Sequence, residues 1–282
     1  MSLTRPPRHC TSSTTLVVVS WGIWLLLYSN FPYRDQAQLD KDFTHVFHTT
    51  SHTIEWFLVS GVSTGIFHRE FLDAEEAPFS RWCAYDPALE LLLVNLFKSR
   101  AHESAAGVFD HMLHEALLAA GMERSLDPIG AATHFGTLGA KEPDRAWRPI
   151  RLPRGRSDKW PTVVLEVAYS ETQSKLQSDL RYWLREPDGE VKTILTLRID
   201  QNEPKITIER WESTVGGHGH RQQQVVITKI RSNKINITGA PLLLEFERVF
   251  LRAPTIPREQ AIVIDNEKLE FLATRIWSDQ QF

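Results

Sequence analysis

The hydrophobic and polar positions of the chain divide it into a few readable stretches. The most regular covers residues 101–120. There Ala105, Val108, Phe109, Met112, Leu113, Ala116, Leu117 and Ala120 recur at steps of three and four. That spacing puts one apolar stripe on a helix, with Gly121 as its C-terminal stop. Residues 131–137, 146–150 and 162–169 then read as three strands. Ser170 and Glu171 suit the start of a second helix reaching about Arg185, and Pro187-Asp188-Gly189 suits a turn. Residues 191–199 alternate as a strand, and residues 205–211 and 224–230 follow suit, with the glycine- and histidine-rich residues 216–220 as a loop between them. Residues 242–250 give a strand, followed by a proline-rich link and a last helix over 258–277. Upstream, residues 54–59 predict a short strand and residues 72–78 an acidic loop. The nearly continuous apolar run 89–97 suits a buried strand or a helix start. The order is helix, three strands, helix, strand, then C-terminal additions. It predicts an α/β or α+β domain built on a mixed sheet.

The front of the chain departs from this pattern. No charged residue occurs from Cys10 to Tyr33, and the densest apolar part runs from Leu16 to Tyr28, with Arg5 and Arg8 ahead of it. A basic start and an apolar run resemble a signal peptide or a short anchor, so a membrane partner through residues 11–31 stays open. The alternative is a buried β-segment ahead of a domain that works in the cytoplasm or nucleus. Residues 1–33 are accordingly set apart from one domain over residues 34–282.

Composition changes the picture little. The chain has 282 residues, 42% of them hydrophobic and 24% charged, which is enough apolar material for a large core and excludes fibrous or disordered classes. Two cysteines, Cys10 and Cys83, exclude a disulfide framework and lack zinc spacing. The net charge of -3 excludes a global positive field, so any nucleic-acid contact needs a local basic patch. No phosphate-cradling glycine loop, serine nucleophile elbow or dinucleotide fingerprint is present, which argues against a nucleotide cofactor.

Two carboxylates carry the chemistry. Asp144 follows Pro143 at the opening of a predicted strand. Glu166 interrupts the apolar run Val163-Val164-Leu165-Glu166-Val167-Ala168 and shares a face with Val164 and Ala168. A buried acid is costly unless it is paired, hydrogen-bonded or bound to a cation. Two acids brought together from neighbouring strands repel, and magnesium or manganese resolves that repulsion with hard oxygen ligands. Glu103, at the start of the long helix, could add a third acid.

These residues lie in blocks with a family resemblance. Lys141-Glu142-Pro143-Asp144-Arg145-Ala146-Trp147-Arg148-Pro149 is followed by Trp160-Pro161-Thr162 and the strand around Glu166, then by Asp179-Leu180-Arg181-Tyr182-Trp183-Leu184 and Val191-Lys192-Thr193-Ile194. Over about residues 89–211 the chain resembles a fungal branch of the PD-(D/E)XK nuclease-like superfamily and is similar to the Uma-type restriction endonucleases. The resemblance implies a restriction-endonuclease-like α-β-β-β-α-β core and a DNA phosphodiesterase. It also implies Asp144 and Glu166 as ligands of magnesium, with Glu103 as the helix acid. The chain departs from the pattern at one position: the family lysine two residues after the second acid is Ala168. That lysine orients the attacking water and neutralises developing charge. Gln173 or Lys175 on the following helix could replace it, with Lys141 as a weaker candidate. Without a replacement the chain would be a binding module that retains the fold without cutting.

A basic stretch favours a phosphate-bearing partner. Arg145, Arg148, Arg151, Arg154, Arg156 and Lys159 are opposed only by Asp158, on a segment that joins the two acid-bearing strands and is therefore expected near the site. Other signals have plainer readings. His111, His114 and Glu115 lack the zinc-protease spacing, and His218 and His220 read as a surface turn. The nine tryptophans read as core. Asp179 and Tyr182-Trp183 are expected on different sides of the second helix, with Trp183 as a packing anchor.

Overall fold

The computed structural model describes residues 16–19, 22–25, 30–49, 56–72, 81–169, 173–214, 216–230 and 234–282. The predicted loop over 72–78 and the capping residues Ser170 and Glu171 therefore fall almost entirely outside the described residues. In the apolar front segment, β1 (Leu16–Val19) and β2 (Gly22–Leu25) pair antiparallel. No helix among the described residues is long and apolar enough to cross a membrane.

Two sheets follow. The first runs in the order β3-β4-β6-β5-β9-β8, from β3 (Asn30–Pro32), β4 (Trp56–Ser60), β5 (Trp82–Asp86), β6 (Leu91–Asn95), β8 (His134–Phe135) and β9 (Ala140–Lys141). One face of it is closed by α1 (Gln36–Thr49) and by α2 (Thr64–Phe67) with the π-turn that continues it. The seal is aromatic: Phe57, Phe67, Phe71 and Trp82 are buried together. The run 89–97 thus resolves as a buried strand, β6.

The second sheet has seven strands in the order β15-β14-β13-β12-β11-β10-β7. It begins after α3 (Arg100–Ala119), which Ser99 caps by accepting from the His102 amide. Gly121, at φ +65°, ends that helix as expected. Then come β7 (Leu126–Pro128), β10 (Arg145–Pro149), β11 (Val163–Ala168), α4 (Gln173–Arg185) and β12 (Thr193–Ile199). β7, β10 and β11 form an antiparallel meander, and α4 carries the chain to β12, which lies parallel to β11. This is the α-β-β-β-α-β order, in a mixed sheet. β13 (Lys205–Thr214), β14 (His218–Lys229) and β15 (Ile235–Thr238) extend it antiparallel.

Strand alternation sorts the core. Val163, Leu165 and Val167 face a cluster built with α3 and α6 (Asn266–Gln280), while Val164 faces a second cluster with Leu180, Tyr182 and Trp183 of α4 and Trp56 and Leu93 of the first sheet. Glu166 points to that second side, so the acid looks out between α4 and the first sheet. One insertion matters for the site. Between β7 and β10 the chain leaves the seven-stranded sheet, and β9 pairs with β5 of the other sheet.

Four sequence expectations need correction. The stretch 131–137 is not the first core strand: only His134–Phe135 are extended and they pair with β9 in the other sheet, while β7 takes that place in the seven-stranded sheet. Residues 242–250 are not one strand: β16 (Leu242–Leu244) is followed by α5 (Phe246–Phe250), because Phe246, Val249 and Phe250 bury at helical spacing. The last predicted helix contains β17 (Ile262–Ile264) before α6, which Asp265 caps. His218 and His220 lie in β14, paired with Thr214 and Glu212, rather than in a loop.

Candidate active site

Asp144 sits at the mouth of β10, and both of its oxygens are engaged. Oδ1 lies 2.9 Å from Lys98 Nζ and 2.9 Å from His102 Nε2, and Oδ2 accepts the Val167 amide at 2.8 Å. The last contact ties Asp144 to the strand that bears Glu166, one residue away. Glu166 Oε1 accepts from Trp183 Nε1 at 2.5 Å and forms an ion pair with Lys141 Nζ at 3.3 Å. Lys141 also reaches Asp179 Oδ1 at 2.8 Å, and Lys175 reaches Asp179 Oδ2 at 2.7 Å. Lys98, Lys141, Asp144, Glu166 and Lys175 line one cavity of about 280 Å³. Its opposite wall is the first sheet, with Trp56, Cys83 and Asn95.

The electrostatics separate the two acids. Burial alone raises the Asp144 carboxyl, but the charges of His102 and Lys98, with hydrogen bonds from His102 and Val167, hold it well below the usual carboxylate range. Burial pushes Glu166 up to about 7; Lys141 opposes this, while Asp179 and Asp144 add to it. Lys141 fails to reverse the shift because it lies closer to Asp179 than to Glu166. Burial works against the charge of Lys141 itself, yet Asp179 and Glu166 outweigh it and raise that ammonium above the ordinary lysine range. Asp144 does the same for Lys98. One neutralisable acid thus stands beside a permanently ionised one, a pattern common to sites of proton and phosphate chemistry.

A pH dependence follows. Glu166 ionises near 7 in the folded chain against an ordinary value of 4.5. A carboxyl raised by folding contributes stability at low pH that is lost as pH rises through 4.5 toward 7. Glu166→Gln stays neutral throughout. It is therefore expected to gain on the native chain by about 3 kcal/mol between about pH 5 and about pH 8. The depressed Asp144 is common to both proteins and cancels in the difference. Urea denaturation across that range measures it, and a pH-independent difference would place Glu166 in its ordinary range.

The structure brings together Asp144, Glu166, Lys141 and Lys175. Glu103 stands aside: its side chain is half exposed and approaches Lys98 at 3.7 Å, while the next-door His102 is buried and turned to Asp144. The reason is helix phase, since His102, Ala105 and Phe109 lie on one stripe. Gln173 opens α4, with its side chain outside the described residues. The expectation that Asp179 and Trp183 diverge is also corrected. Spaced four apart on α4, they meet Lys141 and Glu166 from the same face. Trp183 is a packing anchor and a hydrogen-bond donor to the site at once. Lys98 and His102 had no family pattern to mark them.

The basic segment does not lie beside the acids. β10 and β11 are antiparallel with Arg145 opposite Leu165 and Trp147 opposite Val163, so the connection leaves from the far end of both strands. Pro149 lies roughly 16 Å along the strand from Asp144. Arg145 alone adjoins the site, donating to the Asp144 carbonyl at 2.7 Å. Arg156 is tied to Glu190 at 2.9 Å, Arg148 donates to the Asp158 carbonyl at 2.8 Å, and Lys159 lies over the Trp160 ring. Arg151 and Arg154 are exposed. His111 pairs with Glu115 at 3.3 Å along α3, on an exposed part of that helix.

The donor set can be tested against a divalent cation. Among the described residues no group of three or more His, Cys, Asp or Glu side chains surrounds a common point. Magnesium, however, is bound through one or two carboxylates, water and substrate phosphate rather than by an all-protein cage. Two buried carboxylates on one cavity fit that requirement. Glu166 Oε2 has no hydrogen bond among the described residues, and Lys98, with 28% of its side chain exposed, can leave Asp144 for a phosphate.

No family model matches the chain, and no curated protein matches it. Among solved structures, the chain is similar to a candidate nuclease belonging to DUF820 from Anabaena variabilis, at 11% identity and a TM-score of 0.35, with 65% of this chain and 87% of that chain covered. A likeness this loose says nothing about activity.

Proposed function

We propose that the chain is a nuclease-like phosphodiesterase acting on nucleic acid, DNA foremost, with Asp144 and Glu166 holding magnesium or manganese. The observation that carries this reading is the position of Lys141. Its ammonium lies 3.3 Å from Glu166 in the cavity that Asp144 opens, so the positive charge absent at Ala168 arrives from β9 instead. Lys175 supports it through the shared Asp179. The bound cation would supply an acidified water and charge neutralisation at the leaving oxygen. The chain's own groups do the rest. Lys141 neutralises phosphate charge beside Glu166, and Lys98, at the rim, binds a second phosphate oxygen. Trp183 fixes the Glu166 carboxylate through Oε1 and leaves Oε2 to the cavity.

A second reading has its own support: both Asp144 oxygens are already engaged by Lys98, His102 and Val167. A site so satisfied would bind a phosphodiester without cutting it. End-labelled single-stranded and duplex DNA separates the two. The proposal expects cleavage with magnesium and none in EDTA. The second reading expects no cleavage under either condition, with binding that persists in EDTA and weakens as salt rises. Cleavage that continues undiminished in EDTA would contradict both.

A further inference from the structure

The cavity has a wall that the phosphate chemistry leaves unused. Trp56 on β4 and Asn95 on β6 are direct cross-strand partners, so their side chains stand side by side on one face of the first sheet. Both line the cavity of Asp144 and Glu166. Trp56 is 3% exposed, and the Lys175 ammonium sits 4.4 Å from the centre of its ring, next to the site's acids. Yet the Trp56 indole N–H and the Asn95 side-chain carbonyl are buried without a hydrogen-bond partner among the described residues. Buried polar groups are nearly always satisfied, and an adjacent unsatisfied donor and acceptor on a cavity wall call for a ligand with the complementary pair.

We infer that β4 and β6 form a recognition wall that takes a single nucleobase into the cavity beside the phosphate, with Trp56 Nε1 donating to the base and Asn95 Oδ1 accepting from it. Every nucleobase carries a donor next to an acceptor on its pairing edge, so the pair recognises a base without fixing which one. The indole and the neighbouring Phe97 give the apolar surface a base needs. A base in this position must be unstacked, which directs the site to single strands, strand ends or extruded nucleotides. This inference rests on reading the cavity as a phosphodiester site.

Calorimetric titration with the four deoxynucleoside 5′-monophosphates and with 2-deoxyribose 5-phosphate, which keeps the phosphate and lacks the base, tests it. Each nucleotide is expected to bind the full chain at least about tenfold more tightly than the sugar phosphate. Trp56→Phe and Asn95→Leu are expected to bring that ratio toward one while leaving sugar-phosphate affinity unchanged. The melting temperature of Asn95→Leu is expected to hold or rise, because an apolar group of similar shape replaces an unsatisfied buried one, whereas Trp56→Phe gives up buried ring volume and is expected to melt somewhat lower. Lower melting temperatures with an unchanged ratio would make the two residues merely structural and overturn the inference. Equal affinity for nucleotide and sugar phosphate in the native chain would overturn it while leaving the phosphate site intact. Absence of binding by any of the five would overturn the phosphate site as well.

Discussion

Lys141→Met is expected to destabilise the chain by about 3–5 kcal/mol at neutral pH, among the largest effects of any single substitution. Lys141 is fully buried and is the only residue that pairs with both Glu166 and Asp179 among the described ion pairs. Methionine fills nearly the same volume, so the loss measures charge rather than packing. Removing one partner of a buried ionic group leaves the others uncompensated, which costs more than the intact group ever contributes. Two controls sharpen the expectation. Lowering the pH below the shifted Glu166 value should relieve part of the loss, since a protonated Glu166 no longer needs a cation. Adding Glu166→Gln should relieve it at neutral pH as well, whereas Asp179 keeps Lys175 at 2.7 Å and is not left unpaired. Urea denaturation measures all three, and a loss below about 1 kcal/mol would mean that Lys141 is solvated rather than locked between the acids.

Asp144→Asn is expected to lower magnesium-dependent cleavage by at least about a hundredfold, a loss typical when a charged site loses one preorganised partner. The amide keeps the shape and can still accept from Val167, so the fold should survive. It removes the negative charge that draws Lys98 and His102 to the cavity mouth, and with it one of the two carboxylates proposed to hold the cation. Single-turnover cleavage reads this effect apart from substrate binding. Retention of more than about a tenth of the native rate would remove Asp144 from the reaction.

Glu166 and Asp144 were legible because each breaks a local rule. An acid inside an apolar strand and an acid after a proline at a strand opening both demand explanation. His102 is equally legible in principle, since it falls on the buried stripe with Ala105 and Phe109, although the family resemblance points to the neighbouring Glu103. No periodicity in the sequence marks Lys141. It reaches the site because β9 leaves the seven-stranded sheet and pairs with β5, so that Tyr85 and Ala140 meet across a long sequence separation. The whole first sheet shares that limit: its apolar runs announce strands, but not that the sheet walls the cavity. The basic segment shows the opposite error. Proximity in sequence suggested proximity in space, whereas a hairpin connection lies at the far end of the strands it joins. The apolar run 242–250 misled because a short stretch of continuous hydrophobics suits strand or helix equally well.

Asp144 and Glu166 are proposed to hold a divalent cation together, in a cavity where Lys141 stands in for the lysine absent at Ala168. Manganese titration of the native chain, of Asp144→Asn and of Glu166→Gln tests it most directly. The native chain is expected to bind manganese, and each variant to bind it about tenfold to a hundredfold more weakly. Equal affinities in all three proteins would contradict the assignment.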